Sequence, residues 1–467
     1  MQLTRTLITI GIIASLGGCA GTAPTIPLQP EQGPVTSSVN KLVHEMTLAN
    51  GMQVIVKEDH RAPVAVSQVW YKVGSSTEHN GVTGVSHVLE HMMFKGTRKL
   101  GPNEFSKIIA ANGGRENAFT GPDYTAYFQT MEKSRMPLSF ELEADRMQNL
   151  ILNEEEFKKE VQVVMEERRM RTEDNPRALT YEQFGAAAYV NNPHRSPVIG
   201  WMDDLKNMQA EDLAEWYRKW YTPNNAILVV VGDVEPAFIF AQAKKHFGKI
   251  KPRPVPAKKP QVEIKQLGEK RIKVKAPAKV PYLLMGYKVP SIINAEQNWE
   301  PYALEVMAWV LDGGNSSRFS RELIREQQIA VGVGTGYDAF SPHQELFLFS
   351  GTPSANKTVT DLEEAIRKQI QKIQNSPVTS AELKRVKAQV IAGKVYEKDS
   401  IFYQAMSIGM METINMEWEL SEQFADNIKK VTAEQIQQVA KKYFSDDVLT
   451  VAVLEPQKIE MSKGGNK

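Results

Sequence analysis

The stretch "GVSHVLEHMMFKGT", residues 84–97, sets His87 and His91 four positions apart, with Glu90 immediately before the second histidine. On a helix, spacings of three and four bring these side chains to one face. Two imidazoles at i and i+4 can both reach one divalent ion, and the carboxylate at i+3 then stands beside a water on that ion. The chemistry open to such a set is metal-assisted hydrolysis with Glu90 as general base. The plain alternative is a pair of solvated or core histidines. With only eight histidines in 467 residues, chance supplies the ordered pattern in about one chain in a hundred.

The elements that must position these residues are legible nearby. A helix is predicted from about Val85 to Phe94, a run without Pro or interior Gly that Gly96 can end. Zinc would need a third protein ligand and an open position. Cys19 is the single cysteine, too few for a zinc-thiolate site. A second helix is predicted from Asn153 to about residue 172. Asn153 and Glu156 have capping-box spacing, acidic residues crowd the first turn, and Arg168, Arg169 and Arg171 lie near the far end, as the helix dipole favours. Its buried stripe is Phe157, Val161 and Val164. Glu160 and Glu167 lie seven apart, two turns on one side, although acidic residues on a helix are ordinarily a solvated face.

The chain also repeats itself. "VIVKEDHRAPVAVSQVWYKVG" resembles "IKVKAPAKVPYLLMGYKVP", aligning Tyr71 with Tyr287 at an offset of 216 residues. "EFKKEVQVV" from Glu156 resembles "ELKRVKAQV" from Glu382 at 226, and "AEDLAEWYRKWYTPNNAILVVVGDVEP" from Ala210 resembles "AEQIQQVAKKYFSDDVLTVAVLEP" from Ala433 at 223. A period this long means two copies of one domain rather than a solenoid. Each copy mixes β-rich runs with long helical patterns, which makes an α+β fold of two tandem homologous domains. The expected limits are 40–250 and 268–467, joined by a Pro- and Lys-rich linker at 251–267.

Composition bounds the partners. With 56 basic and 55 acidic side chains, the near-neutral chain gives no reason to expect nucleic acid. The N-terminus, "MQLTRTLITIGIIASLGGCAG", has Arg5, an apolar run too short to span a bilayer, and small residues before Cys19. It resembles a bacterial lipoprotein signal over residues 1–19, in which Cys19 becomes the lipidated first residue. Ala20 in place of aspartate points to an outer-membrane anchor facing the periplasm. Residues 20–39 read as a flexible tether.

His-x-x-Glu-His is the inverted zincin pattern. Followed 76 residues later by Glu167 in an "E-x-x-V-V-x-E-E" setting, it resembles the pitrilysin, insulysin and mitochondrial-processing-peptidase family of zinc metallopeptidases. The resemblance covers nearly the whole chain after the tether, because that family's units are also tandem homologous domains, each with a mainly antiparallel sheet packed with helices. It implies one zinc ion per chain held by His87, His91 and Glu167, a zinc-bound water with Glu90 as general base, and Glu160 as a supporting acid. Glu166 competes as third ligand but lies about 100° round the helix from Glu167. "NAFTGPDYTAYF", residues 117–128, resembles the family's edge strand, which pairs with an extended peptide or unfolded polypeptide substrate, with Asn117 and Ala118 as contact positions.

The second copy departs from the first. Val386 falls opposite Glu160 and Gly393 opposite Glu167, and around Glu305 to Trp309 there is no histidine pair. The family's C-terminal domain instead offers a substrate-binding arginine and a tyrosine seven residues later. Arg325, after Ser316-Ser317-Arg318, matches the arginine, but position 332 is glycine and position 331 valine; Tyr337 is only nearby. The chain therefore resembles the zinc-bearing half of a two-chain peptidase, completed by a homodimer partner or by a homologous chain that carries the Arg/Tyr pair. The competing reading is a non-catalytic assembly subunit.

Overall fold

The β-rich runs of the two copies pair in the same order twice. The computed structural model describes residues 42–458; the signal-like segment with Cys19, the tether, and the first two residues of the first copy and the last nine of the second lie outside them. The first sheet holds β1 (Val43–Thr47), β2 (Gln53–Glu58), β3 (Val64–Tyr71), β4 (Arg115–Thr120), β5 (Thr125–Glu132) and β6 (Ala226–Gly232) in the order β1-β2-β6-β3-β5-β4. The second holds β7 (Lys270–Pro277), β8 (Tyr282–Val289), β9 (Ala330–Gly336), β10 (Glu345–Pro353) and β11 (Leu449–Gln457) in the order β7-β11-β8-β10-β9. Apart from β1, the second order repeats the first. Both sheets are mainly antiparallel. The exceptions are β2 with β6 and β7 with β11, parallel pairs whose partners are far apart in the chain, as parallel connections require.

The helices that bear on the site are α1 (Val85–Met92), α2 (Glu104–Ala111), α3 (Met136–Asn149), α4 (Glu154–Arg168) and α5 (Pro176–Ala188), of which α1 and α4 answer to the two expected ones. Phe157, Val161 and Val164 of α4 are buried in the first core. Two details differ from the sequence expectation. α1 stops at Met92, before Phe94, because the N–H groups of Phe94 and Lys95 turn back to His91 and Met92 in tight three-residue closures. Asn153 Oδ1 does cap α4, accepting from the N–H groups of Glu155 and Glu156, but the Glu156 carboxylate takes Lys159 instead of closing a capping box.

The two copies exchange helices. Phe184 and Ala188 of α5 pack with Val274, Leu284 and Ala452 of the second sheet. The helix Ile401–Thr413 returns the arrangement, setting Ala405, Ile408 and Met411 against Ile55, Val66, Trp70 and Ile227 of the first. The contact residues are complementary in size. Gly409, ninth in its helix, lies so close to Trp70 that an added Cβ would sit 2.1 Å from the indole. Phe184, ninth in α5, lies over Gly286, where a Cβ would meet the ring at 2.7 Å. Gly286 is the counterpart of Trp70, since Tyr71 aligns with Tyr287. One junction puts the large ring on the sheet and the other puts it on the helix.

The segment 251–267 has no regular structure, yet it is tied down. Glu263 accepts from the N–H groups of Val190, Asn191 and Asn192 and pairs with buried Lys288 at 2.5 Å. No described helix is long and apolar enough to cross a membrane.

Candidate metal centre

α1 is fixed at its N-terminus by close backbone packing. Gly84 (φ +87°) and Gly200 (φ +83°) approach so nearly that a Cβ on Gly84 would lie 2.7 Å from the Ile199 carbonyl and one on Gly200 2.4 Å from that of Thr83. Both need the left-handed backbone that glycine permits. The Glu78 carboxylate takes the free N–H groups of Gly84 and Ser86 at 2.7 and 2.8 Å, as a helix start requires. Burial pushes that carboxyl up to about 7 despite these bonds.

On this helix His87 and His91 face α4, and their donor atoms and those of Glu167 lie within 4.8 Å of one another. His87 is buried, its Nδ1 has no hydrogen-bond partner among the described residues, and burial pushes its pKa down to about 3. It is a neutral imidazole with a lone pair to give. For His91 burial works the same way, but Glu160 and Glu167 overcome it and lift the ring to about 9. His91 Nδ1 donates to Glu160 Oε2 at 3.1 Å, and its Nε2 lies 3.5 Å from Glu167 Oε2. Glu160 also holds Lys95 at 2.5 Å, and Glu167 holds Arg171 at 2.6 Å. Burial raises both carboxyls, but His91 first, then Lys95 at Glu160 and His87 and Arg171 at Glu167, outweigh it and hold both below their ordinary value. A buried neutral imidazole beside carboxylates that demand positive charge fits a divalent cation of the zinc type.

Glu90 is also buried, which raises its pKa, and its Oε2 accepts from Thr120 Oγ1 of β4 at 2.6 Å. Thr120, Lys95 and Arg171 are the functional neighbours that sequence reading missed; only Thr120 carried a signal, as part of the edge-strand stretch. Glu166 is exposed and paired with Arg169, so it points away from the histidines.

The other anticipated residues are placed differently. Among the described residues β4 ends the first sheet and pairs only with β5. Ala118 is buried on the α1 side, so what it offers along the open edge is its backbone. Asn117 is exposed, alternates to the opposite face, and accepts the Ala118 N–H. Arg325 lies in the second copy, exposed, and donates to the Asn315 carbonyl. Val331 is exposed at the place of the missing tyrosine, while the hydroxyl of half-buried Tyr337 is committed to the Pro290 carbonyl at 2.6 Å.

The second copy shows what fills the position of the metal set. Its helix Glu300–Asp312 packs on helix Ser380–Glu397 as α1 packs on α4. Glu305 and Trp309 take the four-residue spacing of the histidines, and Trp309 Nε1 donates to Glu305 at 3.2 Å. Gly393, at the helix position equivalent to Glu167, leaves room for the indole, which would lie 3.8 Å from an added Cβ.

Residues 53–200 match the family model described as insulinase (peptidase family M16), and residues 207–390 the one described as peptidase M16 inactive domain. The chain is 34% identical over 429 residues to the zinc protease PqqE of Helicobacter pylori, covering 88% of this chain and 93% of that one. A crystal structure of a protease from Helicobacter pylori matches with a TM-score of 0.84 at 31% identity, over 89% of this chain and 99% of the other. The fold likeness extends to the periplasmic protease PqqL from Escherichia coli, with a TM-score of 0.75 at 17% identity, where 89% of this chain matches 48% of that one. The chain belongs to the M16 peptidase family.

Proposed function

We propose that the chain is a zinc-dependent endopeptidase or oligopeptidase that holds one ion at His87, His91 and Glu167 and uses Glu90 as its general base. The observation that carries this is the convergence of those three donor sets within 4.8 Å, beside a buried carboxylate. Zinc, when bound, supplies Lewis acidity toward a peptide carbonyl and a water. Glu160 takes the Nδ1 proton of His91, which leaves Nε2 as the ligand atom and sets the ring's orientation. Glu90, steered by Thr120, accepts the proton of the attacking water and returns it to the departing amine. The open edge of β4 receives an extended peptide by backbone pairing, which suits unfolded or short substrates.

Arg325 and the missing tyrosine favour a paired assembly, with a second copy or a homologous chain completing the site. A PqqL chain of about twice this length, matched over 48% by this one, supports such pairing. The N-terminal signal pattern with Cys19 supports lipid anchoring on the periplasmic side, at the outer membrane. A non-catalytic assembly subunit is the second reading, favoured by exposed Val331 and the committed Tyr337 hydroxyl. The test is hydrolysis of a mixed quenched-fluorescent peptide library before chelation, after it, and with zinc restored. Loss and recovery are expected; turnover indifferent to chelation contradicts the proposal.

A further inference from the structure

A second group of metal-ligating side chains stands at the junction of the two copies. Asp123 lies in the turn between β4 and β5, His194 follows α5, and His343 precedes β10. Their donor atoms lie within 4.8 Å of one another. His194 Nε2 donates to Asp123 Oδ2 at 2.8 Å, His343 Nε2 lies 3.8 Å from Asp123 Oδ1, and the two rings are 4.8 Å apart. The side chains retain 13, 17 and 22% exposure, so they are held in place yet reachable by a small ion.

We infer that Asp123, His194 and His343 form a second divalent transition-metal site, separate from the one on α1 and α4, that fastens the β4–β5 hairpin to the second copy. The donors suit the class: two imidazoles and a carboxylate with a position left open match zinc, cobalt or nickel, whereas calcium and magnesium prefer oxygen. Ligand atoms about 2.1 Å from such an ion stand roughly 3.3 Å apart, between the 2.8 and 3.8 Å separations found here. The ion would replace the proton shared by His194 and Asp123. The frame is preorganised from both sides. Ser76 Oγ donates to Asp123 Oδ1 at 2.7 Å, and buried Asn192 caps the His194 turn while its Nδ2 donates to the Gln344 carbonyl, next to His343. Among neighbouring charges, Asp338 and Glu345 act on His194 and favour a cation, while Lys258 of the linker acts on Asp123 and His343 and opposes one.

The inference does not depend on the peptidase reading, and counting ions separates the two. The purified full chain is saturated with zinc, freed of excess, and its zinc per chain measured by elemental analysis. Two equivalents are expected, falling to one in His343→Gln and to one in the His87→Ala/His91→Ala double variant, with none when the changes are combined. One equivalent that survives His343→Gln and vanishes in the double variant overturns the second site. One equivalent that vanishes in His343→Gln and survives the double variant upholds it and refutes the α1 site instead. Cobalt titration gives a second readout: two spectroscopically distinct equivalents in the unsubstituted chain support the site, and a cobalt spectrum and stoichiometry unchanged in folded His343→Gln overturn it.

Discussion

At the scale of residues, the buried Glu90 carboxylate depends on its single short bond from Thr120. That bond lowers a pKa that burial raises. Thr120→Val removes the donor, so the Glu90 pKa rises and the acidic limb of the kcat/KM profile moves to higher pH, with a loss at pH 6 of up to about tenfold. A profile unchanged by Thr120→Val would contradict this role. Glu305, in the metal-free copy, gives the opposite test. Burial lifts its carboxyl from the ordinary 4.5 to about 7, so the folded chain takes up a proton that the unfolded chain does not, and stability falls as pH rises from 4.5 to 7. Glu305→Gln removes that cost while keeping the acceptor for Trp309. At pH 8 it should stabilise by about 1–3 kcal/mol in denaturant melts, with no gain at pH 4 and no change in hydrolysis. His87, Glu90 and His91 could be singled out by spacing on one helix, whereas Glu160 and Glu167, two turns apart on another, took their roles from the family resemblance. Arg171 and Lys95 stand four residues after Glu167 and His91, but spacing alone does not tell them from ordinary surface cations, and Thr120 reaches Glu90 only through the packing of β4 on α1.

At the scale of elements, the sequence placed α1 and α4 within a turn of their ends and missed how tightly they are set. Phe94 suited a helix, but three-residue closures after Met92 ended it earlier. Nothing local in the sequence announces that Gly409 and Gly286 lie under aromatic rings, since a glycine in a helix or strand pattern reads only as a weak position. Packing makes a sharp prediction from them. By propensity, Gly409→Ala should gain about 1 kcal/mol; the Cβ placed 2.1 Å from Trp70 reverses the sign and should cost about 3 kcal/mol. Gly185 of α5 has no atom within 4 Å of an added Cβ, so Gly185→Ala should stabilise. Thermal melts that rank the two variants the other way would contradict the helix exchange.

At the scale of the whole molecule, the duplication was legible as three offset matches, and the structure repeats the strand order behind them. The exchange of α5 for Ile401–Thr413 was not legible, because an internal alignment shows which segments correspond and not which sheet each one covers. Since each copy's sheet is covered by the other's helix, residues 42–458 should unfold in one transition seen alike by tryptophan fluorescence and by circular dichroism; two separated transitions would mean the copies are independent. The duplicated plan also explains the division of labour. One copy keeps the histidines and carboxylates, while the other fills the same place with Trp309 over Gly393.

The measurement closest to the central claim is peptide-library hydrolysis by the parent chain and by Glu90→Gln, each with its metal content determined, alone and with any homologous chain that associates with it. The expected result is turnover by the parent and a loss of several orders of magnitude in Glu90→Gln at unchanged metal content. Turnover that survives Glu90→Gln with the metal still bound would contradict a general-base role for Glu90, and with it the peptidase mechanism assigned to this site.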